Sequence, residues 1–252
     1  MAIRHYLAMT AAEIRGCGAM PPFSAWMACH FSPYSTGLSA LPRALPPGSM
    51  LVLDDITPIH GHDPGRILVQ LRERTEALKL DGVLLDFQRP GYGEAAALAE
   101  TLAKELKCPL GVSDLYAGEG SGAVFLPPLS LTDALEKYGT RWPGRELWME
   151  VSPLGETITL TDKGASTEAL PPSGFPEEGF REERLHCRYH STVEPDRVKF
   201  RLWRNRQDWE ELLAAAEELG VTRTVGLYQQ WGPAGLGEKH SSYAATAPKW
   251  SP

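Results

Sequence analysis

Short runs rich in β-branched and aliphatic residues alternate along the chain with stretches of helical period, the pattern of parallel strands joined by crossover helices. Eight runs read as strands: Ile3–Met9, Ala25–Phe31, Met50–Asp55, Gly82–Phe87, Leu110–Asp114, Ala123–Leu126, Glu146–Val151 and Thr224–Gln229. Helical spacing is clearest over residues 64–79, 94–106, 131–138 and 207–219. Asp63 before Pro64 reads as an N-cap with proline at the first helical position, and Thr10-Ala-Ala-Glu13 as a capping box. The last helix carries Trp209, Leu212, Leu213 and Leu219 at helical intervals and ends at Gly220, which tolerates a left-handed cap.

The rhythm breaks between residues 152 and 204. There Thr157-Ile-Thr-Leu160 and Arg188 to Trp203 alternate like antiparallel ribbons around the turn Glu194-Pro-Asp-Arg197, and Ala169 to Glu183 is crowded with Pro, Gly and Glu like an exposed loop. Eight parallel strands with helices between them predict an α/β fold, a TIM-barrel-like (β/α)8 architecture with an antiparallel β insertion before the last helix and strand. The short connections predict that some helices are reduced or missing. An open doubly wound sheet is the alternative, but neither GxGxxG nor a P-loop follows an early strand. Residues 1–231 are expected to form one barrel-like domain with 152–204 as its insertion, and 232–252, rich in Gly, Ser, Ala and Pro, a flexible tail.

Composition narrows the function classes. Among 252 residues, 25 Lys and Arg face 32 Asp and Glu, for a formal charge of −7, which disfavours a nucleic-acid partner. No run is apolar for the roughly 18 residues of a membrane span, and Met1 to Ala19 lacks the continuous apolar core of a secretory signal, so a cytoplasmic setting is expected. The cysteines at 17, 29, 108 and 187 are widely spaced and read as reduced and mostly buried.

In such a barrel, chemistry gathers where strands end at their carboxyl side. The polar residues there are acidic and aromatic: His30, Asp54 and Asp55, Asp86 and Gln88, Asp114 with Tyr116 beyond, Glu150, Gln229 and Trp231. A period of two on the fourth strand directs Leu84, Asp86 and Gln88 to one side. The stretch Asp81-Gly-Val-Leu-Leu-Asp86-Phe-Gln88 resembles the D-G-x-D-x-D-x-E signature that family-18 glycoside hydrolases, the chitinase-like barrels, carry on strand four. The resemblance implies that Asp86 matches the aspartate supporting the substrate's N-acetyl group, which serves as nucleophile in that family. It also implies that Trp231 matches the tryptophan beneath the bound sugar.

Two departures bear on the chemistry. Gln88 stands where the signature has its catalytic glutamate, and Leu84 where it has its first inner aspartate. An amide cannot supply the proton a departing glycosidic oxygen needs, and losing a general acid costs about two to four orders of magnitude in rate. The expected function is therefore a degenerate barrel that binds a carbohydrate or similar polar small ligand through His30, Asp54, Asp55, Gln88, Asp114, Tyr116, Gln229 and Trp231, without the family's usual hydrolysis. Active hydrolysis through a relocated carboxylate, Glu150 partnered by Asp86, Asp54 or Asp114, is one alternative, and a non-catalytic scaffold is another. No cofactor and no metal are expected: glycine separates His60 from His62, Asp63 has a capping role, and His186 and His190 lie about 13 Å apart along a strand. Gly118 to Gly122 leads into a strand and reads as a turn. Trp142, Trp148, Trp203 and Trp209 follow core periodicity rather than lying where a ligand could stack.

Overall fold

The computed structural model describes residues 3–10, 26–31, 45, 48–54, 64–90, 93–128, 135–152, 154–170 and 174–227. Eight strands close into a parallel barrel: β1 (Arg4–Thr10), β2 (Trp26–Phe31), β3 (Met50–Asp54), β4 (Gly82–Asp86), β5 (Leu110–Ser113), β6 (Ala123–Leu126), β7 (Leu147–Val151) and, after the insertion, β13 (Val221–Leu227). Each pairs with its neighbours in chain order, and β13 returns to pair with both β7 and β1. The expected TIM-barrel-like architecture is thus the observed one.

Strand alternation divides the apolar residues between two environments. Tyr6, Ala8, Met50, Val52, Leu84, Ala123, Phe125, Trp148 and Val225 fill the bore as one cluster. Their chain neighbours Leu51, Leu53, Val83, Leu85, Phe87 and Val112 face outward. Against that outer face lie α1 (Pro64–Leu78) and α2 (Gly93–Glu105), contributing Ile67, Leu71, Ala95, Leu98 and Leu102. Two further helices, α3 (Leu135–Arg141) and α4 (Arg206–Glu218), pack on the other side with Tyr138, Trp209 and Leu212. Each buried side chain of this size contributes about 1.5–3 kcal/mol of transfer free energy. Trp148 occupies so much of the bore that a Cβ on Gly111 would stand 2.2 Å from its ring.

The insertion is a five-stranded antiparallel sheet made of β8 (Glu156–Thr161), β9 (Gly164–Ala169), β10 (Phe180–Glu182), β11 (Cys187–Glu194) and β12 (Arg197–Trp203), in the order β10-β11-β12-β8-β9. One face presents Ile158, Cys187, Tyr189, Phe200 and Leu202 to the cluster that holds Val151 and Trp209. The ribbons and the turn at residues 194–197 lie where the alternation placed them. The stretch 169–183 differs in part, because Phe180–Glu182 pairs with β11 and leaves that much less of it as loop. The last strand begins at Val221, earlier than the expected Thr224, because Gly220 turns the chain at a positive φ of 83° and Arg223 is an interior residue. The last helix has a reciprocal cap that the reading 207–219 missed: Asn205 accepts from the Asp208 N–H while Asp208 accepts from the Asn205 N–H.

Candidate functional site

The two ends of the barrel carry different polar chemistry. At the amino end, Asp81 receives Arg4 at 2.8 Å, Arg223 at 3.0 Å and the Tyr6 hydroxyl, while Arg223 also lies 4.4 Å over the Trp148 ring. The first aspartate of the motif is thereby fully engaged in closing the barrel floor. Burial and the neighbouring Asp81 carboxylate raise the Tyr6 hydroxyl far above its ordinary pKa, so it stays protonated as donor. His5, beside Thr224, is held neutral by burial, its pKa lowered to about 4.

At the carboxyl end the interior positions turn acidic. Above Leu84, which is wholly buried in the bore, β4 places Asp86, itself almost entirely buried. The Gln88 amide donates to Asp86 at 2.5 Å. Ser113, buried at the end of β5, donates to the Phe87 carbonyl at 2.7 Å and fixes the strand end between the two. On β7 the interior face that begins with Trp148 continues to Glu150, which is 8% exposed. Burial, and secondarily the charge of Asp86, push the Glu150 carboxyl up to about 8. Leu84 removes a carboxylate from directly beneath Asp86, and Glu150 supplies one from another strand.

Asp54 is the register partner of Asp86, and His30 pairs with Thr10 and Val52, which puts both on barrel strands at the carboxyl end. Asp114 pairs with Arg141 at 3.2 Å, and the Tyr116 hydroxyl donates to the Arg89 carbonyl while its ring packs edge-on against Phe87. These contacts tie the loops after β4 and β5 together beside Gln88. Asp55, Gln229 and Trp231 lie outside the described residues.

One buried side chain behind the site had no sequence signal. Arg204, 1% exposed, donates to the carbonyls of Ser152, Leu185 (3.0 Å) and His186 (3.1 Å) and lies 5.4 Å from the Trp209 ring. It clamps the end of β7, two residues past Glu150, to the insertion. Leu154 and His186, both at positive φ (52° and 46°), flank this clamp. For non-glycine residues that conformation costs about 1–2 kcal/mol each, which the clamp and the buried contacts of Leu154 offset.

No protein-family model and no curated protein matches the sequence. Solved structures do match. A glycoside hydrolase family 18 N-acetylglucosaminidase from Paenibacillus barengoltzii superposes with a TM-score of 0.63 at 9% identity, covering 98% of this chain and 99% of that one. The fold is that of the family-18 glycoside hydrolases. A chitinase-like agglutinin from Robinia pseudoacacia shares this family-18 fold (TM-score 0.62, 9% identity, 96% of this chain and 98% of that one). So does a glutamate-to-glutamine mutant of the class V chitinase from Nicotiana tobaccum in complex with NAG4 (0.56, 9% identity, 98% of both chains). The stretch Asp81–Gln88, which resembles the family signature, thus lies on and beside β4 of a barrel with this fold.

Proposed function

We propose that the carboxyl-end mouth of this barrel binds a carbohydrate or similar polar small ligand without the hydrolysis usual in family-18 enzymes. The observation that carries the reading is Gln88 donating its amide to Asp86 at the strand end. An amide there offers a donor and an acceptor for sugar hydroxyls but no transferable proton. Asp54, Asp55, His30, Asp114 and Tyr116 are the polar rim of this proposal, and Gln229 and Trp231 complete it, the indole as a platform for the apolar face of a sugar ring. The agglutinin and the NAG4 complex that share the fold support a binding role.

A second reading draws on Glu150, whose carboxyl keeps its proton at neutral pH beside Asp86. A carboxylic acid in that state can act as general acid, with Glu150 and Asp86 as the pair of an active hydrolase. Thermal shift of the wild type against chito-oligosaccharides, beside Asp86→Ala and Trp231→Ala, tests the binding reading. A stabilisation present in the wild type and lost in both variants supports it, and no shift with any sugar refutes it. Chromatography of the recovered sugar then separates the two readings: intact oligomer favours binding, whereas cleavage lost in Glu150→Gln favours the hydrolase.

A further inference from the structure

The insertion sheet has two edges of different kind. β10, three residues long, forms one of them, and its Arg181 is ion-paired with Glu211 of α4. The other edge is β9, which pairs with β8 over six consecutive residues without a register shift and is exposed along its whole length. Exposed edges are ordinarily blunted by Lys, Pro, a bulge or a covering element. β9 reads Gly-Ala-Ser-Thr-Glu-Ala, with neither Lys nor Pro, and carries one charge, Glu168. An apolar row leads to this edge. Val193, Val198, Leu160 and Ala165 stand opposite one another on β11, β12, β8 and β9, on the face whose inner part, Phe200 and Ile158, packs against the core. Val193 is 78% exposed and Leu160 41%.

We propose that β9 is a self-association edge, on which a second copy of this chain lays its own β9 antiparallel so that the two insertions form one continuous sheet. The proposal is independent of the carbohydrate reading. A two-fold axis normal to the sheet puts facing residues on the same face, so it must pass through a residue of β9 rather than between two. Glu168 cannot lie on that axis, because like charges directly opposite each other are unfavourable. With the axis at Ser166, the two serine hydroxyls meet, Ala165 faces the partner's Thr167, and Glu168 faces the partner's Gly164. Gly164 brings no side chain to that position, and Lys163 before it, in the β8–β9 turn, offers Glu168 the opposite charge. The two-fold makes this match twice. Charge, side-chain size and hydroxyl pairing thus suit one occupant, another copy of the same edge, and the strand addition itself supplies main-chain hydrogen bonds.

The test is analytical sedimentation of the full chain between about 1 and 500 µM, where self-association shows as a mass that depends on concentration. The expected result is a mass rising from the 27.7 kDa of one chain towards twice that value. Ser166→Lys sets two ammonium groups on the axis, and Glu168→Lys sets a lysine beside the partner's Lys163. Each should weaken the dimer about tenfold or more. Adding Lys163→Glu to Glu168→Lys reverses both charges and should restore the dimer to within about threefold of wild type. Glu178→Lys, next to β10 at the other edge, should leave it unchanged. All four substituted residues are exposed, so none of the changes disturbs the core. A single 27.7 kDa species at every concentration overturns the proposal. So does a dimer that Ser166→Lys and Glu168→Lys leave as tight as wild type, or one weakened by Glu168→Lys that Lys163→Glu fails to restore.

Discussion

Replacing Glu150 with glutamine isolates the electrostatic cost built into the barrel mouth. The folded protein holds the Glu150 proton up to about pH 8, whereas an unfolded glutamate releases it near its ordinary value of 4.5. Between those limits the unfolded chain binds fewer protons, so this group's contribution to stability is fully present below about pH 4.5 and is lost as pH rises through about 8. At about 1.4 kcal/mol per pH unit, the interval from 4.5 to about 8 corresponds to about 5 kcal/mol. Glutamine keeps the shape, carries no charge at any pH and removes the dependence. Denaturant unfolding of wild type and Glu150→Gln at pH 5, 6, 7, 8 and 9 reads the difference directly. The two are expected to differ least at pH 5, the gap widening by about 1.4 kcal/mol per pH unit up to about pH 8 and levelling off by pH 9, where the variant is more stable by several kcal/mol. A gap that stays constant across this range would refute the account of Glu150 as a buried carboxyl without a countercharge. Asp86→Asn should narrow the gap without closing it, because burial is the larger cause of the shift.

His5 gives the opposite slope. Its pKa is lowered to about 4 in the fold, so it contributes stability above pH 6.5 that is lost as pH falls towards 4, up to about 3 kcal/mol; His5→Gln should flatten the acid limb of the wild-type stability curve, and an unchanged limb would count against it. Arg204→Met strips three buried carbonyls of their donor and should cost about 3 kcal/mol or more in denaturant unfolding, with a loss under 1 kcal/mol contradicting its role as a clamp. Gly111→Ala drives a methyl into the Trp148 ring; overpacking of about 1–3 kcal/mol should lower the melting temperature and perturb Trp148 fluorescence, and a melting temperature equal to wild type would show that the bore has room.

The barrel was legible because its strands alternate cleanly or run continuously apolar, and because the insertion changes the period at residue 152. The motif on β4 was legible as well, and so was Glu150 as a strand-end carboxylate. What local pattern could not reveal is which partner each charge meets. Asp81 read as a member of a site motif, yet its partners Arg4 and Arg223 lie 77 and 142 residues away, and only barrel closure brings them to the opposite end from Asp86. Arg223 fell just outside the expected strand Thr224–Gln229, since a charge facing a barrel bore has no signature until the tryptophan beneath it is known. Arg204 binds three main-chain carbonyls, a contact made by groups that every residue possesses and that therefore leaves no mark in the sequence.

The mouth holding Asp86, Gln88 and Glu150 is proposed to bind a sugar and leave it whole. Calorimetric titration of a chito-oligosaccharide series at graded deacetylation, followed by mass spectrometry of the recovered sugar after prolonged incubation, tests it most directly. The account predicts saturable binding that Asp86→Ala abolishes and oligomers recovered at their original length. Shortened oligomers, or no saturable heat with any member of the series, would contradict it.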